Sequence, residues 1–216
     1  MSGSGIVDLV ITKLEERSAF LNPDSNMGPL LSGDDSLNEL NPVYSYINTQ
    51  LAEAANEVLM IAPLNHLIPT DITEDVVADN TKDGTGRIVI PEDYLRLYTL
   101  KMKDWAKPVH EAIGKGHPIY SQQFNKYTRG IPEKPVAVYS GTATTPHIRY
   151  YSVYDSHEIE ELSYIPRFSS DNEYTDKMSE AIALNTAKKV MEVFGNVDGV
   201  TIMQNELTSV LGNMQL

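Results

Sequence analysis

Apolar residues recur at helical spacing near both ends of the chain and alternate with polar ones through its middle. From Ile6 to Phe20, the positions Ile6, Leu9, Val10 and Leu14 share one face while Asp8, Lys13, Glu15, Glu16 and Arg17 take the other, which predicts a short amphipathic helix. A longer helix is predicted from Asn41 to Ala62. Its stripe runs through Tyr44, Ile47, Leu51, Ala54, Ala55, Val58 and Leu59, with Asn41 placed as a cap and Pro42 at a first position that needs no N–H. Alanines on that stripe suit close helix packing. The segment between Leu21 and Glu39 is rich in Pro, Gly, Asn, Ser and Asp and predicts a long loop, of the kind that usually has a functional role, here contact with a neighbour.

The period then changes. Gly86–Pro91 and Leu95–Met102 predict two strands joined through Pro91-Glu92-Asp93-Tyr94. Further strands are expected at Val136–Tyr139 and Ile148–Val153, separated by a turn from Gly141 to Pro146, and at Glu160–Ile165, with a short helix over Pro118–Tyr127. Helix returns from Ser170-Asp171, with Met178, Ile182, Ala183, Thr186, Val190, Met191 and Phe194 on one stripe and Gly195 as the stop. A last helical segment, Val200–Met214, puts Met203, Leu207, Val210, Leu211 and Met214 on one face. The plan is α+β: one domain over residues 1–216, with a helical bundle over about 1–63 and 170–216 and a small antiparallel β subdomain inserted over about 84–168.

The chain of 216 residues has no cysteine, which removes disulfides, thiolate metal sites and a cysteine nucleophile. No apolar run approaches the roughly 20 residues that span a bilayer, and Met1-Ser2-Gly3-Ser4-Gly5 lacks the basic start of a signal peptide, so the chain is expected to fold in the cytoplasm of its cell. The Gly/Ser repetition there suits a native flexible start and an appended tag remnant equally well. A net charge of -13 argues against general nucleic-acid binding. Its distribution says more: residues 1–80 carry 2 basic and 13 acidic side chains, residues 81–150 carry 11 and 6, and residues 151–216 carry 4 and 11. A basic middle between acidic ends is either ordinary solvated surface or a device for head-to-tail self-association, and both readings stay open.

Catalytic chemistry has little to stand on. His66, His110, His117, His147 and His157 are scattered without the spacing of a helical zinc site, and no nucleophile elbow, phosphate loop or dinucleotide fingerprint occurs. Glu158, Glu160 and Glu161, with Asp155 nearby, offer carboxylates for a hard cation, and so for a metal-dependent hydrolase, or form a plain acidic edge. Trp105, Tyr139, Tyr150, Tyr151 and Tyr154 suit base stacking in a single-strand binder, or core packing and wet interfaces. No enzyme activity and no cofactor are expected.

Three stretches carry a resemblance: the helix ending Leu51-Ala-Glu-Ala-Ala-Asn-Glu-Val-Leu59; Ile88-Val-Ile-Pro-Glu-Asp-Tyr-Leu-Arg-Leu97 running to Lys103-Asp104-Trp105-Ala106-Lys107-Pro108; and the alanine-bearing C-terminal helix. Together they resemble head-tail adaptor (connector ring) proteins of tailed bacteriophages, of podovirus or crAss-like type. The resemblance covers about 150 residues, and the Leu21–Glu39 loop departs from it. It implies a virion protein, made in the host cytoplasm, in a ring commonly of twelve copies beneath the portal. Such a ring has portal and downstream tail proteins as partners, and its lumen passes DNA without specific binding and without membrane contact. An acidic lumen suits that passage, because like charges prevent sticking. Another tail or minor capsid subunit is the alternative. Two interface elements are expected: the basic residues Arg96, Lys101, Lys103 and Lys107 facing an acidic neighbour, and the Met203, Leu207, Val210, Leu211, Met214 face gripping the portal or completing the core.

Overall fold

The computed structural model describes residues 3–21, 42–81, 84–142, 145–151, 153 and 157–215. The Leu21–Glu39 loop, the Asn41 cap, Tyr154 and Asp155 lie outside the described residues, Leu21 itself excepted. The architecture is α+β, and the chain divides into two compact units, Met1–Ile68 with Phe168–Leu216, and Pro69–Arg167.

The helical unit holds α1 (Gly3–Leu21), α2 (Pro42–Ile61), α3 (Asp176–Val193) and α4 (Val197–Met214). Each stripe is buried: Ile6, Val10, Ile11 and Leu14 on α1, and Ile47, Leu51, Ala54, Ala55, Val58 and Leu59 on α2. Helix α3 packs on all three others and has no solvent face from Ala181 to Ala187. That explains its run of small residues, Ala181, Ala183 and Ala187, which let neighbouring helices approach from several sides.

Helix α3 begins later than expected. Ser169, Ser170, Asp171 and Asn172 form a turn, in which Ser169 accepts from the Asn172 and Asp171 amides, and the cap is Thr175, whose Oγ1 accepts from the Met178 amide at 3.4 Å. Gly195 ends the helix at φ +70, with its amide on Glu192 O and the Asn196 amide on Met191 O. Asn196 then caps α4 through a 2.9 Å bond from the Gly199 amide. A Cβ on Gly199 would collide with Met191 Sδ, so glycine is what lets α4 start against α3.

The β unit contains two sheets. One has the order β1 (Thr70–Asp71), β8 (Ile159–Pro166), β4 (Tyr94–Met102); the other runs β2 (Ala78–Thr81), β3 (Thr85–Val89), β7 (Thr145–Tyr151), β6 (Ala137–Thr142), β5 (Ala112–Ile113). The facing sides share one core, in which Leu97, Leu100, Met102 and Leu162 meet Ile88, Ala137, Ile148 and Tyr150.

The strands around Ile88 and Leu97, though consecutive, do not pair with each other: the Pro91–Tyr94 turn, closed by the Tyr94 amide on Pro91 O, sends β4 into the other sheet, while β3 pairs with β7. The subdomain is also not wholly antiparallel, because β5 pairs with β6 in parallel, and the 23 residues of 114–136 between them supply the long crossover this needs. The Pro118–Tyr127 segment is a single 3-10 turn, Ser121–Phe124.

The outermost strands are short among the described residues, β4 excepted. β1 and β5 have two residues each and β2 has four. The long edge strand β4 is partly capped, since Leu100 and Val109 exchange both backbone hydrogen bonds at 2.8 and 2.9 Å.

Candidate assembly surface

The basic residues singled out in the sequence are largely answered within the chain. Lys101 Nζ lies 2.6 Å from Glu160 Oε1 across the β4–β8 pair, and Lys103 Nζ 2.6 Å from Glu158 Oε2 just beyond its end. Hydrogen bonding to Glu158 raises the Lys103 ammonium above its usual value. Arg96 is half-buried, and burial lowers its guanidinium while the charge of Glu111 opposes the shift. Lys107 is exposed. Lys101 and Lys103 thus each hold a carboxylate of the same chain. The same pairs engage Glu158 and Glu160, and among the described residues no three of His, Asp and Glu converge as metal ligands.

The α4 face is likewise turned inward. Met203, Leu207 and Met214 are buried, and Val210 and Leu211 half-buried, as α4 packs on α3. Of the two readings of this segment, completing the core is the one its packing fits. Trp105, Tyr150 and Tyr151 are core residues as well. Tyr139, part-exposed, stacks on Tyr94, which stacks on Tyr164, each at 5.9 Å between centroids. The Tyr164 hydroxyl donates to Asp93 at 2.9 Å, and burial with that charged partner pushes its pKa up to about 12.

The outward groups lie elsewhere. The 114–136 connection crosses the outer face of the five-stranded sheet, where Ile119, Tyr120 and Val136 pack on Ile113, Val138 and Tyr151. Its organiser is Gln123, buried, which donates to Ile119 O at 3.1 Å and accepts from the Gly130 amide at 2.8 Å. Asn125 Oδ1 accepts from the Tyr127 amide, the Thr128 hydroxyl donates to Gln122 O, and the Ala106 amide holds Pro132 O at 3.0 Å. A loop pinned at so many points presents its remaining side chains in a set arrangement: Tyr127 is 93% exposed and Phe124, edge-on to Tyr120, 55%. The segment carries Lys115, Lys126, Arg129 and Lys134 against Glu133 alone. Lys115, Lys126 and Lys134 pair with no carboxylate among the described residues.

A second outward cluster belongs to the helical unit, at the α3–α4 corner. Phe194 meets Tyr46 of α2 edge-on at 5.3 Å, and Val193 and Val197 stand beside it in sequence, Val197 73% exposed. The flanking charges are acidic and exposed, Glu192 and Asp198. Neither cluster is read as a surface from the sequence, and Phe194, expected on the inward stripe with Met191, is 44% exposed. Periodicity finds faces that are buried, and these side chains are conspicuous only because they are not; the density of aromatic residues and cations between Tyr120 and Lys134 was the available signal.

No helix among the described residues is long and apolar enough to cross a membrane. No protein-family model matches the chain, and no curated protein matches its sequence.

Proposed function

We propose that the chain is a structural assembly subunit that forms a ring with copies of itself, of the head-tail adaptor kind, placed between portal and tail of a virion. The observation that carries this reading is the unequal charge of the two units. The helical unit holds 5 basic and 16 acidic residues and the β unit 12 and 14, and three lysines of the β unit that pair with no carboxylate among the described residues, Lys115, Lys126 and Lys134, lie on one aromatic loop. A subunit carrying -13 repels its copies at long range, so self-assembly requires local complementarity together with apolar burial. The chain has both ingredients on its surface, in Tyr127, Phe124, Phe194 and Val197 with charges of opposite sign around the two clusters. An acidic helical unit also suits a channel through which DNA slides, because phosphates are repelled from the wall.

Native mass spectrometry and negative-stain imaging of the purified chain test the reading. A closed oligomer, alone or on addition of a portal protein, is the expected result, and a monomer at all concentrations in both settings overturns it.

A further inference from the structure

Resting on that reading, we infer that the 114–136 loop of one copy docks on the α3–α4 corner of the next. The two clusters are chemical complements. The loop offers Phe124 and Tyr127 with Lys126 between them and Lys134 further along the same segment; the corner offers Phe194 and Val197 between Glu192 and Asp198 in sequence. Apolar area joins apolar area, and each cation meets a carboxylate at the rim, where charge sets register and encounter rate.

Three observations favour a second copy of this chain as the occupant. The complementary surface is carried by the same polypeptide, so every copy brings both halves. The halves are different patches, which makes the contact heterologous and lets it propagate from copy to copy until a ring closes. The loop is also organised before binding, by Gln123, Asn125 and the anchor on Val138 and Tyr151, so little ordering entropy opposes docking. A nucleic-acid strand is the other occupant that an aromatic, basic loop could take. The net charge of -13 disfavours it, and it is an outcome of the test below.

The test uses two full-length variants, Lys126→Glu with Lys134→Glu in the loop, and Glu192→Lys with Asp198→Lys at the corner. All four side chains are exposed, so both variants are expected to melt near the parent. Alone, each places like charges across the contact, and sedimentation velocity is expected to show self-association weakened by about tenfold or more. Mixed in equal amounts they restore it, because each loop then finds a corner of opposite sign. Three results would overturn the inference. Assembly indifferent to both variants removes this contact and leaves the assembly reading standing. A parent chain that is monomeric throughout removes both. Loop variants that lose binding to a single-stranded oligonucleotide while assembling normally assign the loop to nucleic acid instead.

Discussion

Asn185 donates its Nδ2 hydrogens to the backbone carbonyl of Ala54 at 2.9 Å and to Glu57 Oε2 at 3.0 Å. A buried amide on α3 thus reaches two consecutive turns of α2 and fixes the register of one helix against the other. Asn185→Ala removes the bonds and leaves space around them, and a loss of about 1–3 kcal/mol in urea unfolding is expected. Asn185→Asp should cost more at neutral pH than at pH 3, since it sets a carboxylate against a carbonyl and against Glu57.

Lys189 closes the same interface, 2.8 Å from Glu57 and 3.0 Å from Glu53. Burial pushes the Glu57 carboxyl upward, but the bonds from Lys189 and Asn185 outweigh it and leave the pKa below 4.5. A lowered folded-state pKa contributes stability that is present above the ordinary value and is lost as pH falls through the folded one. The stability difference between the parent and Lys189→Met is therefore expected to hold constant near pH 6–7 and shrink below about pH 4.5, which a series of denaturant titrations would show.

Gly86 faces Tyr150 across the β3–β7 pair, and a Cβ there would strike the Tyr150 ring and Asp79 O, the latter at 2.8 Å. The glycine is the floor on which the tyrosine lies while its hydroxyl meets His157 Nδ1 at 2.9 Å. Gly86→Ala is expected to cost about 1–3 kcal/mol by overpacking. Adding Tyr150→Phe, which removes the nearest clashing atom, should make the pair less damaging than the sum of the singles in a double-mutant cycle.

The α4 face is predicted to matter for folding. Leu207→Ala should cost about 2–5 kcal/mol, and removal of residues 199–216 should unfold the helical unit instead of leaving a folded subunit that cannot dock. Circular dichroism of the truncated chain separates the two results.

Charge reversal on β4 should behave the same way. Lys101→Glu with Lys103→Glu sets acid against Glu160 and Glu158, so a lower melting temperature is expected, with recovery on Glu160→Lys and Glu158→Lys, and with assembly changing no more than folding does.

The helices were legible because each buries one stripe, and a stripe such as Ile47 to Leu59 is a direct image of its packing. The start of α3 was misplaced because Ser170-Asp171 and Thr175 are both acceptable caps, and only the turn at Ser169 decides between them. Strands of two residues, such as Thr70–Asp71 and Ala112–Ile113, leave no alternation to read. Strand partners are harder still: nothing local says that β4 leaves β3 at Pro91 and joins a strand some sixty residues later, so the pairing of Lys101 with Glu160 could not be foreseen from either neighbourhood. The two exposed aromatic clusters lie beyond periodicity for a related reason. They are made of residues that no fold requirement places.

The truncated margins of the two sheets bear on how the β unit avoids pairing with other chains. A nascent or crowded β unit is most vulnerable where a strand offers a row of free amides and carbonyls to another chain. Two-residue outer strands give an incoming backbone almost no template, and the Leu100–Val109 clasp occupies the middle of the one long margin. A strand arriving at these edges from another chain therefore finds few backbone groups to pair with.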